Sequence, residues 1–123
     1  MHLNSKTTHK SKNVPTPSRT ESGKKLESYS MLAPEMKKIY FEFYSETYKK
    51  STLSRKTKEL IAISASLTAK CQGCLEGHIK KALKLGATKA EISETIAVAM
   101  GVNAAAVVDL TDIAADNLNL KHY

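Results

Sequence analysis

Among 123 residues there are two cysteines, three prolines and no tryptophan, and no uninterrupted apolar run approaches the ~18–20 residues that a membrane span requires. No membrane partner is therefore expected. Residues 1–25 lack the apolar block of a secretory leader, and with one arginine and no amphipathic stripe they do not read as a transit peptide. Without an export signal a disulfide framework is not expected. A cytoplasmic redox or metal role is the better reading of the two thiols. No segment alternates apolar and polar residues between turn residues, so no strand is expected and a thioredoxin fold is excluded. No internal repeat appears at the usual solenoid periods.

The formal charge of +7 suggests nucleic acid at first sight, but its distribution argues otherwise. Residues 1–25 carry six basic residues (Lys6, Lys10, Lys12, Arg19, Lys24 and Lys25) against one acid, Glu21, while the other 98 hold thirteen against eleven. The basic character belongs mostly to a tail, and that tail contains too few apolar residues to order itself. The expected organisation is a disordered basic segment over 1–25 and a helical domain over 26–123. A second basic knot, Lys49, Lys50, Arg55, Lys56 and Lys58, straddles an expected loop and reads as solvated surface. No nucleic-acid partner is expected.

From about Ser30 the apolar period is helical. Pro34 suits a first helical position, and Met36, Ile39, Tyr40, Phe43 and Tyr44 then recur at three- and four-residue steps. Ser54 is the expected N-cap of a second helix reaching the cysteines. A third should start within Cys71–Cys74 and run to Leu85, closed by Gly86. Thr88 and Glu91 have the spacing of a capping box for a fourth. Gly101 and Asn103 then punctuate before an alanine-rich fifth helix through Ala115. The expected fold is all-α, a compact bundle of about five helices.

The chemistry concentrates in Glu59, Cys71, Cys74 and His78, spaced E-x11-C-x2-C-x3-H. At ~100° per residue, Cys71, Cys74 and His78 fall within about 60° on one helix face. A helix N-terminus offers unsatisfied N–H groups and positive partial charge, which favour a thiolate and hence a nucleophile. The imidazole one turn after Cys74 can exchange protons with it. The dipole favours Cys71 as the attacking thiol, the nearby histidine favours Cys74. Glu59 lies ~18 Å from Cys71 along a straight helix. Either the chain folds back through Lys70–Cys74 or Glu59 serves a site completed by another subunit.

This set of four residues resembles the alkylhydroperoxidase AhpD-like branch of the carboxymuconolactone decarboxylase family, over roughly residues 30–118. The resemblance implies a small all-helical peroxidase that needs no cofactor. In it Cys74 is the peroxidatic thiol, Cys71 resolves it as a disulfide and supplies a proton, and His78 and Glu59 form the proton relay. It implies a hydroperoxide substrate, a dithiol reductant (a lipoyl protein or a thioredoxin-like donor) and a homotrimer or homohexamer. Gly73 stands where the best-known members carry a second histidine, so the relay here is shorter.

Other readings stay open at this point. The thiols are alternatively inert core residues, or zinc ligands with Glu59 or His122 completing C-x2-C-x3-H, in a binding module whose basic tail contacts nucleic acid. A redox-regulated assembly protein without turnover is a third. Leu75 excludes c-type haem, which needs histidine directly after the second cysteine. Five of the seven aromatics lie between Tyr40 and Tyr48. They read as a core or subunit-contact face, with a pocket wall the lesser alternative.

Overall fold

The computed structural model describes Pro15 and residues 22–24, 26–120 and 123. The expectation of a disordered 1–25 tail falls almost wholly outside these residues, as does His122. Four helices account for the described chain: α1 Pro34–Thr47, α2 Arg55–Ala69, α3 Gln72–Lys84 and α4 Lys89–Asn117. No strand occurs among the described residues.

Each helix boundary has a local cause. Pro34 opens α1, where its missing N–H costs nothing. Ser54 Oγ accepts the Thr57 N–H at 3.1 Å, and Thr88 Oγ1 accepts the Glu91 N–H at 3.1 Å. The Glu91 carboxylate faces Lys56 Nζ across the α2–α4 boundary, with Oε2 at 3.1 Å. At the end of α3, Gly86 takes φ +91°, its N–H reaches the Leu83 carbonyl, and the Ala87 N–H reaches that of Ala82. That pair of bonds is a Schellman closure, with Ala82 and Ala87 meeting in the core. At the end of α2 the same closure is built on Lys70, left-handed at φ 57°, with the Cys71 N–H on the Ser66 carbonyl. The reversal at Lys70 turns α3 back along α2.

The core is small. Ile63, Ala82 and Ala87 form its centre, and Leu60, Leu67, Leu75, Ile79 and Ile92 pack around them. α2 is the central element and packs against both α3 and α4. The basic knot between α1 and α2 is less solvated than its composition suggests. Lys58 Nζ donates to the Thr47 and Lys49 carbonyls and to Ser51 Oγ, which staples the loop. Lys49 and Lys56 are engaged by Glu46 and Glu91.

The expected break at Gly101 and Asn103 does not occur, and the fourth and fifth expected helices are one helix of 29 residues. A helical glycine costs about 1 kcal/mol relative to alanine, too little to end a helix whose flanks are alanine-rich. Asn103 points inward instead of capping: Nδ2 donates to the Ala99 carbonyl at 2.7 Å and to Thr68 Oγ1 of α2 at 3.1 Å. Past Asn103, Val107, Val108, Leu110 and Ile113 are all more than half exposed. Fused, the two segments are long and apolar enough to cross a membrane by length and composition, with a mean hydropathy of 1.6 over an 18-residue window. One such helix is weak evidence for a span, because an apolar helix face that packs against protein passes the same test.

The two glycines behave oppositely under the same substitution. Gly86→Ala forces a left-handed alanine and should lower stability by about 1 kcal/mol. Gly101→Ala adds a methyl with nothing within 4 Å of it, inside a helix, and should raise stability by roughly 0.5–1 kcal/mol. Thermal melts of the two variants check both signs.

Candidate redox site

The hairpin of α2 and α3 decides how Glu59 reaches the cysteine helix. Because Lys70 reverses the chain, Glu59 on the second turn of α2 meets His78 on α3, with Oε2 2.6 Å from Nδ1. Both side chains belong to one chain, so no second subunit is needed to supply the carboxylate. Both are buried, Glu59 at 2% exposure and His78 at 6%. Glu59 and Ile63 are the largest fully buried side chains of the fold. Taking a carboxylate out of water costs several kcal/mol unless it is hydrogen-bonded or paired. A core this small keeps one nonetheless, which marks the position as a functional-site candidate.

Against an ionised carboxylate, which only accepts, Nδ1 is the donor of this bond; Nε2 presents the opposite side of the ring. There it meets two tyrosines four residues apart, Tyr44 in the last turn of α1 and Tyr48 at its C-cap. Tyr44 Oη lies 3.2 Å and Tyr48 Oη 3.4 Å from Nε2. Both rings lie nearly parallel to the imidazole, at 20° and 25°, with centroids 6.3 and 5.2 Å away. Burial pushes the Tyr44 phenol well above its ordinary range, and neighbouring Tyr48 and Glu59 push it further. Tyr48 is raised as well, by burial first and then by Glu59. The Lys81 ammonium sits 5.4 Å from the centroid of the Tyr44 ring. Burial lowers its pKa and Arg55 adds to the lowering, while Glu59 opposes both.

Cys71 and Cys74 are joined in a disulfide, with Cα atoms 5.2 Å apart. Cys71 is the N-cap of α3, and its Sγ accepts the Cys74 N–H at 3.3 Å. The sulfur thus occupies the place of a capping oxygen at the positive end of the helix. Both cysteines are half-buried, and Gly73 and Gly77 beside them are buried. With the sulfurs bonded to one another and both ring nitrogens of His78 engaged, C-x2-C-x3-H does not present a zinc ligand set in this state. Among the described residues no cluster of three or more His, Cys, Asp or Glu is placed to hold a metal ion.

All four residues singled out by spacing therefore sit in the α2–α3 hairpin, with Glu59 and His78 in direct contact. Tyr44 and Tyr48 belong to the aromatic run expected as a core or subunit-contact face, with a pocket wall the lesser alternative. Their i, i+4 spacing was visible, but it is the ordinary signature of an apolar helix face, and only the docking of α1 aims both hydroxyls at one nitrogen.

The chain is similar to known proteins in sequence and fold. The chain is 43% identical over 54 residues to "Uncharacterized protein 4 in cox locus" of Paracoccus denitrificans, covering 44% of this chain and 49% of that one. It spans about half or less of the length of the curated relatives that it matches. Among solved structures it is similar to lpg0406 of Legionella pneumophila, a carboxymuconolactone decarboxylase family protein. That match has 33% identity and a TM-score of 0.54, covering 56% of this chain and 62% of that one. A second such family protein, from Thermotoga maritima, has a suggested involvement in antioxidative response. It matches at 26% identity and a TM-score of 0.53 over 72% of this chain and 99% of its own. The family profile itself aligns from the first residue of α1 almost to the end of α4, across the whole hairpin that carries the site. By that match over residues 34–116, the chain belongs to the carboxymuconolactone decarboxylase family.

Proposed function

We propose that the chain is a thiol-dependent reductase of hydroperoxides or disulfides, of the AhpD-like kind, cycling between a Cys71/Cys74 dithiol and the disulfide. The observation that carries this reading is the disulfide at the start of α3 with a buried Glu59–His78 pair one turn further on. In the oxidising half, the Cys74 thiolate attacks the outer oxygen of ROOH. An S–O bond forms, the O–O bond breaks, and the departing RO⁻ takes a proton to become ROH. The Cys71 sulfur then attacks Cys74; the S–S bond forms, and hydroxide leaves with the Cys71 proton as water. In the reducing half, an external dithiol, of the lipoyl or thioredoxin-like class, attacks the Cys74 sulfur. Cys71 leaves as the thiolate that the Cys74 N–H and the helix terminus stabilise. The donor's second thiolate then attacks the donor's own sulfur in the mixed disulfide, Cys74 leaves, and the donor departs as a disulfide. Glu59 and His78 hold and return the proton at Nδ1 and Nε2.

With this reading we place the chain in the cytoplasm and in a homotrimer or homohexamer. The support for assembly is the bare apolar length of α4 beyond Asn103, together with Met36, Ile39 and Phe43 exposed on α1.

Peroxide should convert two free thiols per reduced chain to none with loss of two mass units, and Cys74→Ser should consume no peroxide. Consumption by Cys74→Ser at the wild-type rate contradicts the mechanism. Glu59→Gln preserves the shape of the buried pair but removes its charge, and turnover should fall about 10²-fold; an unchanged rate removes the relay. Light scattering behind a sizing column should give a mass of three or six times 13.5 kDa. A mass near 13.5 kDa removes the assembly.

A further inference from the structure

His78 Nε2, the ring nitrogen that Glu59 does not hold, has two hydroxyl partners that the spacing of the redox residues does not call for. We propose that Tyr44 and Tyr48 are positioning residues for the redox pair: their hydroxyls hold His78 Nε2 and turn from donors to acceptors when that nitrogen takes the proton of the Cys74 thiol. This rests on the reading of Cys71 and Cys74 as a redox centre, but not on the identity of the oxidant.

The argument begins with burial. His78 is almost inaccessible to water, and its Nδ1 is committed to Glu59 at 2.6 Å. When the S–H bond of Cys74 breaks and an N–H bond forms at Nε2, a thiolate and an imidazolium replace two neutral groups. The new Nε2–H then needs an acceptor, since an unmatched buried donor is disfavoured. Water is scarce there, but Tyr44 Oη and Tyr48 Oη already stand at 3.2 and 3.4 Å. A hydroxyl rotates its hydrogen and offers a lone pair without moving its oxygen, so the same contact serves both protonation states. Carboxylates or ammonium groups at these positions would fix one state.

Other features fit this role. Both phenols are pushed above their ordinary range, so they stay neutral hydroxyls while the thiol and imidazole exchange a proton. Tyr44 lies in the last turn of α1 and Tyr48 caps its C-terminus; α1 has the least backbone contact with the rest of the fold, and the two hydroxyls are among the direct side-chain links from this segment to α3. The titratable groups in contact with His78 are Glu59 from α2, Tyr44 from α1 and Tyr48 at the C-cap of α1; Lys81 of α3 lies over the Tyr44 ring, and Cys71 and Cys74 stand at the head of α3. Among them, the tyrosines are the groups at Nε2 that accept without carrying charge. Gly73 provides no side chain that could take this place.

The test reads thiol reactivity rather than turnover. In a Cys71→Ser background Cys74 is the only thiol, and its alkylation by iodoacetamide is followed from pH 5 to pH 9. Tyr48→Phe and Tyr44→Phe keep the rings and remove only the hydroxyls, and each should slow alkylation near neutral pH about tenfold, with the profile displaced to higher pH. In a His78→Gln background the same changes should alter the rate less than twofold, because the hydroxyls act through His78. Profiles that superimpose on the parent, or losses of equal size with and without His78, overturn the proposal. If Tyr44→Phe fails to fold, the half-buried Tyr48 carries the test alone. Peroxide consumption by the unsubstituted chain separates the two readings. Displaced profiles without peroxide consumption keep the tyrosine role and remove the peroxidase. Consumption with superimposed profiles does the reverse.

Discussion

The contact between Glu59 and His78 is the constraint on which the arrangement depends. A carboxylate and an imidazole at 2.6 Å, both shielded from water, are stable only together. Removing either leaves the other as an unmatched polar group in a core that has Ile63, Ala82 and Ala87 at its centre. That contact fixes the register of α2 against α3, and through Nε2 it sets where Tyr44 and Tyr48, and hence α1, can dock. The hairpin at Lys70 is its geometric condition and the disulfide at the head of α3 its neighbour. The pair that holds the hairpin in register is therefore also the centre of the candidate site.

The division of labour among the helices follows. The α2–α3 hairpin holds the carboxylate, the imidazole and the sulfurs, the end of α1 contributes hydroxyls, and α4 packs along α2 with Ile92 on the same core as Ala82 of α3. The near half of α4 belongs to the core through Ala99 and Asn103, while its far half presents valine, leucine and isoleucine to the outside. A helix with apolar residues around most of its circumference is stable in water only when something covers it. Chemistry and cover thus lie on different parts of the fold.

Much of this was legible in the residues. The all-α class followed from period and from the absence of alternation, and the caps at Ser54 and Thr88 and the glycine stop at Gly86 lie where turn chemistry puts them. Glu59, Cys71, Cys74 and His78 were found from spacing, because four reactive residue types in register have few bland explanations. Two features were not legible, and a third, the fold-back through Lys70–Cys74, was one of two readings that the spacing left open. The break at Gly101 fails because one glycine and one asparagine are weaker than a continuous hydrogen-bond ladder, and Asn103 found a partner on α2 that only packing supplies. The fold-back at Lys70 uses a left-handed lysine, a conformation that sequence patterns assign to glycine or asparagine. The tyrosine hydroxyls escaped because an aromatic at helical spacing predicts burial, and burial does not say what its polar tip will meet.

The central claim is that the Cys71–Cys74 bond is a reversible working disulfide and not a structural staple. Its reduction potential tests this most directly, through equilibration with dithiol and disulfide buffers and mass-spectrometric counting of free thiols. The account predicts one reversible two-electron transition, at a potential more oxidising than about −300 mV. A bond that stays intact in buffers well below that value would be structural, and the redox reading of the site would be wrong.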